Sequence, residues 1–223
     1  MIAGLPYVIS GLVAAGGLRF RDAVRLVRLR GKFMQEAVPV GAGAMAAIMG
    51  LSPGEVQALC QEAAQGEVLS PANFNSPGQI AVSGHASAVK RAVEIVSKQA
   101  GKKAVLLPVS APFHCPLMKP AADRLREALA PVETGDLKFP VISNVEADLY
   151  PGKERIKDLL FRQVDHPVRW EESMQKMASL GPELVLEVGP GKVLSGLLRR
   201  IRKEIPAANV EDGVTWEKAK GLL

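Results

Sequence analysis

Between Gly43 and Leu107 the hydrophobic period switches repeatedly between that of a strand and that of a helix, and this alternation constrains the fold more than any other feature of the chain. Residues 44–49 read as a strand. Leu51-Ser-Pro-Gly-Glu opens a helix, with Ser52 as its N-cap and Pro53 in its first turn. Residues 67–73 and 79–83 form two strands around Asn75-Ser-Pro-Gly, a turn signal. A second helix over 86–100 is ended by Gly101. Residues 104–107 finish the unit as a short buried strand. The order βαββαβ is the ferredoxin-like plan, and about 65 residues suits it. Residues 41–107 are therefore expected to form a compact insert.

That last strand runs into Pro108-Val-Ser-Ala-Pro-Phe-His-Cys-Pro-Leu-Met. Prolines at 108, 112 and 116 fix φ and remove backbone donors, so the loop is stiff without being regular. It holds one imidazole, His114, just before an amphipathic helix over 117–130. A histidine gripped at a strand-to-helix crossing can serve as a general base. It can equally be a hydrogen-bonded core residue, and the loop alone leaves both readings open. Downstream come a strand over 137–145, helices over 155–164 and 171–179, a strand over 184–188 and a helix over 193–201. Alternating strands and helices predict a parallel α/β sheet built from residues 1–40 and 108–223.

Gly189-Pro-Gly-Lys before the last of these helices invites a phosphate-loop reading. It fails, because Leu186 stands where that motif needs Gly and Val193 where it needs Ser or Thr. Arg199, Arg200, Arg202 and Lys203 cluster at the helix end, where cations complement the helix dipole and could also meet an acidic partner.

Residues 21–36 make a further helix. At 100° per residue, Ala23, Leu26, Val27, Phe33 and Met34 share one face, while Arg21, Arg25, Arg28, Lys32 and Gln35 take the other. Arg30 breaks the pattern by sitting in the middle of the apolar stripe. Buried there, it needs an anion, since an unpaired buried charge costs several kcal/mol. The alternative is a side chain that snorkels past Gly31 to solvent.

A hydrophobic share of 48% with 23% charged residues fits a globular chain with a substantial core. Aromatics at 4% argue against a base-stacking nucleic-acid surface, and the net charge of +5 permits an acidic partner without naming it. Two cysteines, Cys60 and Cys115, suit neither a disulfide framework nor a metal site, so no metal and a reduced, cytoplasmic setting are expected. The uncharged stretch before Arg19 is broken by Gly4, Pro6, Gly11, Gly16 and Gly17 and lacks a basic start, which predicts a buried segment and no membrane helix.

Several stretches in order resemble the malonyl-CoA:acyl carrier protein transacylases of bacterial fatty-acid synthesis. They include Asp22-Ala-Val-Arg-Leu-Val, Arg30-Gly-Lys-Phe-Met-Gln-Glu-Ala, Gly43-Ala-Met-Ala-Ala and Asn73-Phe-Asn-Ser-Pro-Gly-Gln. Pro112-Phe-His-Cys, Ser143-Asn-Val, Arg162-Gln-Val-Asp-His-Pro-Val-Arg-Trp and Glu187-Val-Gly-Pro-Gly-Lys-Val-Leu continue the match. The resemblance implies an α/β-hydrolase-like parallel core, without cofactor, acting on malonyl-CoA and acyl carrier protein. A serine on a Gly-x-Ser-x-Gly elbow would take the malonyl group as an ester and pass it to the carrier's pantetheine thiol. It places the catalytic histidine at His114 and the residue whose main-chain carbonyl orients that ring at Gln163. The carboxylate-binding arginine falls on Arg30, with Met34 lining the same pocket. His85 and His166 are left to surface or structural roles.

The departure from the family is equally specific. No Gly-x-Ser-x-Gly occurs in the chain, and Ala3-Gly-Leu-Pro-Tyr-Val-Ile-Ser stands where the elbow belongs. The expectation is a C-terminal portion with a mistranslated or frame-shifted start, inactive by itself. The alternative is a non-catalytic binder of acyl carrier protein or coenzyme A.

Overall fold

The computed structural model describes residues 6–222, with side chains from residue 8 onward. Residues 3–5 of the stretch compared with the elbow lie outside the described residues. Helix α1 (Pro6–Ala14) buries Val8, Ile9 and Leu12, and Ala15 and Leu18 follow them into the core. No helix among the described residues is long and apolar enough to cross a membrane.

Helix α2 (Phe20–Ala37) buries Ala23, Leu26 and Met34 as the helical period predicts. Val27 is a correction: at the rim of the stripe, it stands exposed. Phe33 is half-buried, with the Arg124 guanidinium 4.0 Å above its ring.

The alternating region folds as β1 (Gly43–Met49), α3 (Pro53–Ala64), β2 (Leu69–Ser76), β3 (Gln79–His85), α4 (Ala86–Ser97) and β4 (Lys103–Leu106). Its four strands form one antiparallel sheet in the order β2-β3-β1-β4. Ser52 caps α3 in a reciprocal box with Glu55, each side chain accepting from the other's N–H and so pairing donors that a helix start leaves free. Strand β2 begins later and runs longer than the sequence suggests, because register shifts at Pro71/Asn73 and Phe74/Ser76 let it bend and keep pairing. Ile48, Val56, Leu59, Val82 and Val89 lead a cluster between this sheet and its two helices.

A second cluster joins α1 and α2 to α5 (Lys119–Leu129) and α6 (Ile156–Asp165). Beyond it lie α7 (Trp170–Ser179), β5 (Val185–Val188), α8 (Val193–Ile201), β6 (Ala207–Val210) and α9 (Gly213–Lys220). Strands β5 and β6 pair in parallel, so the whole is an α/β fold whose parallel part, among the described residues, is two strands. The strand expected over 137–145 does not form. Pro140 cannot donate to a ladder, and residues 141–150 turn back on themselves instead. Tyr150 N–H donates to the Val141 carbonyl and Ser143 N–H to that of Asp148, both at 2.8 Å. Phe20 and Val24 on α2 and Val188 on β5 are left exposed.

Candidate active site

The loop between β4 and α5 carries His114, which is 3% exposed. Its φ of +60° lies in the left-handed region, where a side chain is tolerated only if its surroundings hold it. Those surroundings begin with buried Pro112, wedged against Gly43 at the start of β1, where an added Cβ would fall 2.3 Å from the proline ring. Gln35 of α2 accepts a hydrogen bond from the Ser110 hydroxyl at 2.7 Å, tying the loop to the helix that bears Arg30.

Nδ1 of His114 meets the Gln163 carbonyl at 2.8 Å. A carbonyl can only accept, so Nδ1 carries the hydrogen and Nε2 is left with its lone pair. The ring's pKa is pushed down from 6.5 to about 3, first by burial and then by the nearby Arg30 cation, against the opposing pull of the Gln163 and His166 carbonyls. At neutral pH the imidazole is uncharged and able to take a proton.

The Arg30 cation thus bears on the His114 ring, although the two residues are 84 positions apart in the chain. Burial lowers the Arg30 guanidinium to about 10, so it stays charged at neutral pH. Its Nε is shielded from water with no hydrogen-bond acceptor against it among the described residues.

A cleft of about 420 Å³ opens beside His114. Ser70, Pro71 and Phe74 of β2 form one wall, and His114, Asp165 and His166 form the other. Neither Arg30 nor Met34 lines this cleft. Met34, 2% exposed, is packed in the cluster shared by α1, α2, α5 and α6. His166, assigned from the sequence to a surface or structural role, reaches the cleft and holds Asp165 at 2.7 Å. His85 is structural: its Nδ1 accepts from Val68 N–H at 2.9 Å.

The family described as "Acyl transferase domain" matches residues 9–217. The chain belongs to that acyl transferase family. It is 50% identical over 203 residues to a malonyl CoA-acyl carrier protein transacylase of Escherichia coli K12, covering 91% of this chain and 66% of that relative. The chain thus spans slightly less than two thirds of the relative's length. The solved transacylase of Coxiella burnetii superposes with a TM-score of 0.93 at 42% identity, over 97% of this chain and 68% of that one. A malonyl-transacylase solved with a type II polyketide-synthase acyl-carrier protein matches with a TM-score of 0.91 at 46% identity, over 95% and 69% of the two chains.

Other features of this acyl transferase chain have structural explanations. The turn before α8 is filled by the chain's own carboxylates. Glu187 of β5 accepts from Leu194 N–H, Ser195 N–H and the Ser195 hydroxyl at 3.0, 2.8 and 2.6 Å, and Glu211 from Gly191 N–H at 2.9 Å. These anions occupy the helix start that a phosphate would need. Cys115 donates its thiol to the Pro112 carbonyl at 3.2 Å, and burial pushes its pKa up, which suits a structural thiol. At the far end of α8, Arg200 reaches Gln79 of β3 at 2.6 Å, while Arg199, Arg202 and Lys203 stand exposed. No group of three or more His, Cys, Asp or Glu residues able to hold a metal ion occurs among the described residues.

Proposed function

We propose that this chain carries the base and the carboxylate-binding cation of an enzyme that moves a malonyl group from coenzyme A to the pantetheine thiol of an acyl carrier protein through a serine ester. The observation that carries the reading is the buried His114 ring, held at Nδ1 by the Gln163 carbonyl at 2.8 Å beside the cleft. In the first half-reaction the serine hydroxyl attacks the malonyl thioester as His114 Nε2 takes its proton. That proton then goes to the departing thiolate of coenzyme A. In the second half the carrier thiol gives its proton to Nε2 and attacks the ester, and the serine oxygen recovers the proton. Arg30 binds the free malonyl carboxylate, supplying the anion that its buried Nε calls for. Met34, one turn farther along α2, packs in the core behind Arg30, and a pocket-lining role for it needs the bound malonyl group to reach past the cleft.

The architecture belongs to the same reading. Residues 41–107 form a ferredoxin-like insert, supported by the antiparallel order β2-β3-β1-β4 with its two helices. Residues 1–40 and 108–223 belong to an α/β-hydrolase-like core, supported by the parallel β5–β6 pair. No cofactor is needed, and the setting is cytoplasmic.

The chain supplies no serine elbow. Ser10 lies inside α1, in a stretch without the Gly-x-Ser-x-Gly pattern. Loss of the nucleophile in a serine-type enzyme costs on the order of 10⁶ in kcat. Alone, then, the chain is expected to form no malonyl adduct, and intact mass after incubation with malonyl-CoA reads this directly. A stable malonyl increment would overturn the nucleophile argument.

The exposed cations of α8 favour a second reading, a binder of acidic carrier protein without turnover. The relative solved with its carrier protein supports that partner. Binding that weakens between low and high salt, with no acyl transfer, distinguishes it from the first reading.

A further inference from the structure

Helix α6 ends in an unusual way next to His114. In a continuing helix the Gln163 carbonyl would accept from the N–H of the residue four positions on. That residue is Pro167, which has no N–H. The residue before a proline is also driven out of the helical region, and His166 is extended at φ −110° and ψ 155°. Its own N–H turns back to the Arg162 carbonyl, at 3.1 Å. Gln163 is thereby left with a buried carbonyl that the helix cannot satisfy, and His114 Nδ1 fills the vacancy at 2.8 Å. Beyond the proline the chain is captured by β2: Val168 donates to the Ala72 carbonyl at 2.8 Å and accepts from Phe74 N–H at 2.9 Å.

We propose that Pro167 is a positioning residue for the base: by removing the helical donor it reserves the Gln163 carbonyl for His114, and so fixes which ring nitrogen faces the reactants. The inference rests on the acyl-transfer reading for its functional meaning. Its physical content, the tautomer of His114, is measurable without turnover. A buried carbonyl must be satisfied by some donor. With Ala at 167, an amide N–H becomes available and His166 is free to turn helical, so the helix can satisfy Gln163 itself. The imidazole then loses its anchor.

The test is ¹⁵N NMR of the full chain labelled at histidine, in three forms: the parent, Pro167→Ala, and Pro167→N-methylalanine installed by chemical ligation. In the parent, His114 is expected as the Nδ1–H tautomer. A parent found as Nε2–H overturns the proposal before any variant is made, so the test stands even if a variant fails to fold. In Pro167→Ala the tautomer ratio should move about tenfold toward Nε2–H, the equivalent of one buried hydrogen bond. N-methylalanine, which also lacks the N–H, should restore the parent ratio. A folded Pro167→Ala chain with unmoved His114 shifts overturns the proposal, as does an N-methylalanine chain that behaves like the Ala variant. The malonyl-adduct assay can fail independently of either result, which keeps the two ideas separable.

Discussion

Gly43→Ala is the sharpest probe of how the insert supports the His114 loop. The added methyl would lie 2.3, 2.5 and 2.8 Å from three atoms of the Pro112 ring, where ordinary contact begins at 3.4 Å. The shortfall is about 1 Å, and it faces a rigid, buried ring that has no rotamer to escape into. Either β1 backs away from the sheet or Pro112 moves, and Pro112 is two residues from a histidine already held at positive φ. Over-packing of this kind costs about 1–3 kcal/mol. For a chain of this size that is a drop in Tm of about 2–4 °C for each kcal/mol. The assay pairs urea unfolding with the ¹⁵N shifts of His114, because the argument requires both a loss of stability and a disturbed bond to Gln163. Gly54→Ala is the control, since nothing lies within 4 Å of its added carbon. A Gly43→Ala chain within about 0.5 kcal/mol of the parent, the usual range for an inconsequential substitution, would refute the packing argument. A destabilised chain with unchanged His114 shifts would show that Pro112 does not transmit the strain to the ring.

Two more expectations concern the charges. The His114 ring titrates at about 3 when folded against 6.5 ordinarily, so between those values the unfolded chain holds a proton that the native chain lacks. Its contribution to stability is complete above pH 6.5 and is lost as the pH falls toward 3, with a slope of up to about 1.4 kcal/mol per pH unit. Urea unfolding across that window should show a shallower slope in His114→Gln, and an identical slope would contradict the assignment. Arg30→Met removes the cation while keeping a long apolar stem, so the His114 pKa should rise, though burial still holds it below the ordinary value. An NMR titration that leaves the ring unmoved would mean that the two side chains do not share one site.

Much of the fold could be read from the chain because its punctuation acts locally. Ser52 with Glu55 starts a helix whatever surrounds it, and Gly78 at φ +68° turns the chain between β2 and β3 by its own freedom. Elements that depend on a distant neighbour were not legible. β6 is Ala-Ala-Asn-Val, a weak strand pattern that becomes a strand only by pairing in parallel with β5. The stretch around Pro140 has the apolar content of a strand, but the proline cannot donate to a ladder and residues 141–150 turn back on themselves.

The site divides along the same line. Arg30 was visible because a cation in the centre of an apolar helical stripe is a violation that the chain must resolve somewhere. Gln163 was accessible only through family resemblance, since its contribution comes from the main chain and its side chain says nothing about it. His166 is exposed and paired with Asp165, as a surface role predicts, and its place at the rim of the cleft depends on how the chain leaves α6. The departure of α6 nevertheless had a signature in plain letters. A proline four positions after a helical residue identifies a carbonyl that the helix cannot satisfy. If that carbonyl is buried, some other donor must come to it, and in this chain the donor is the imidazole of His114.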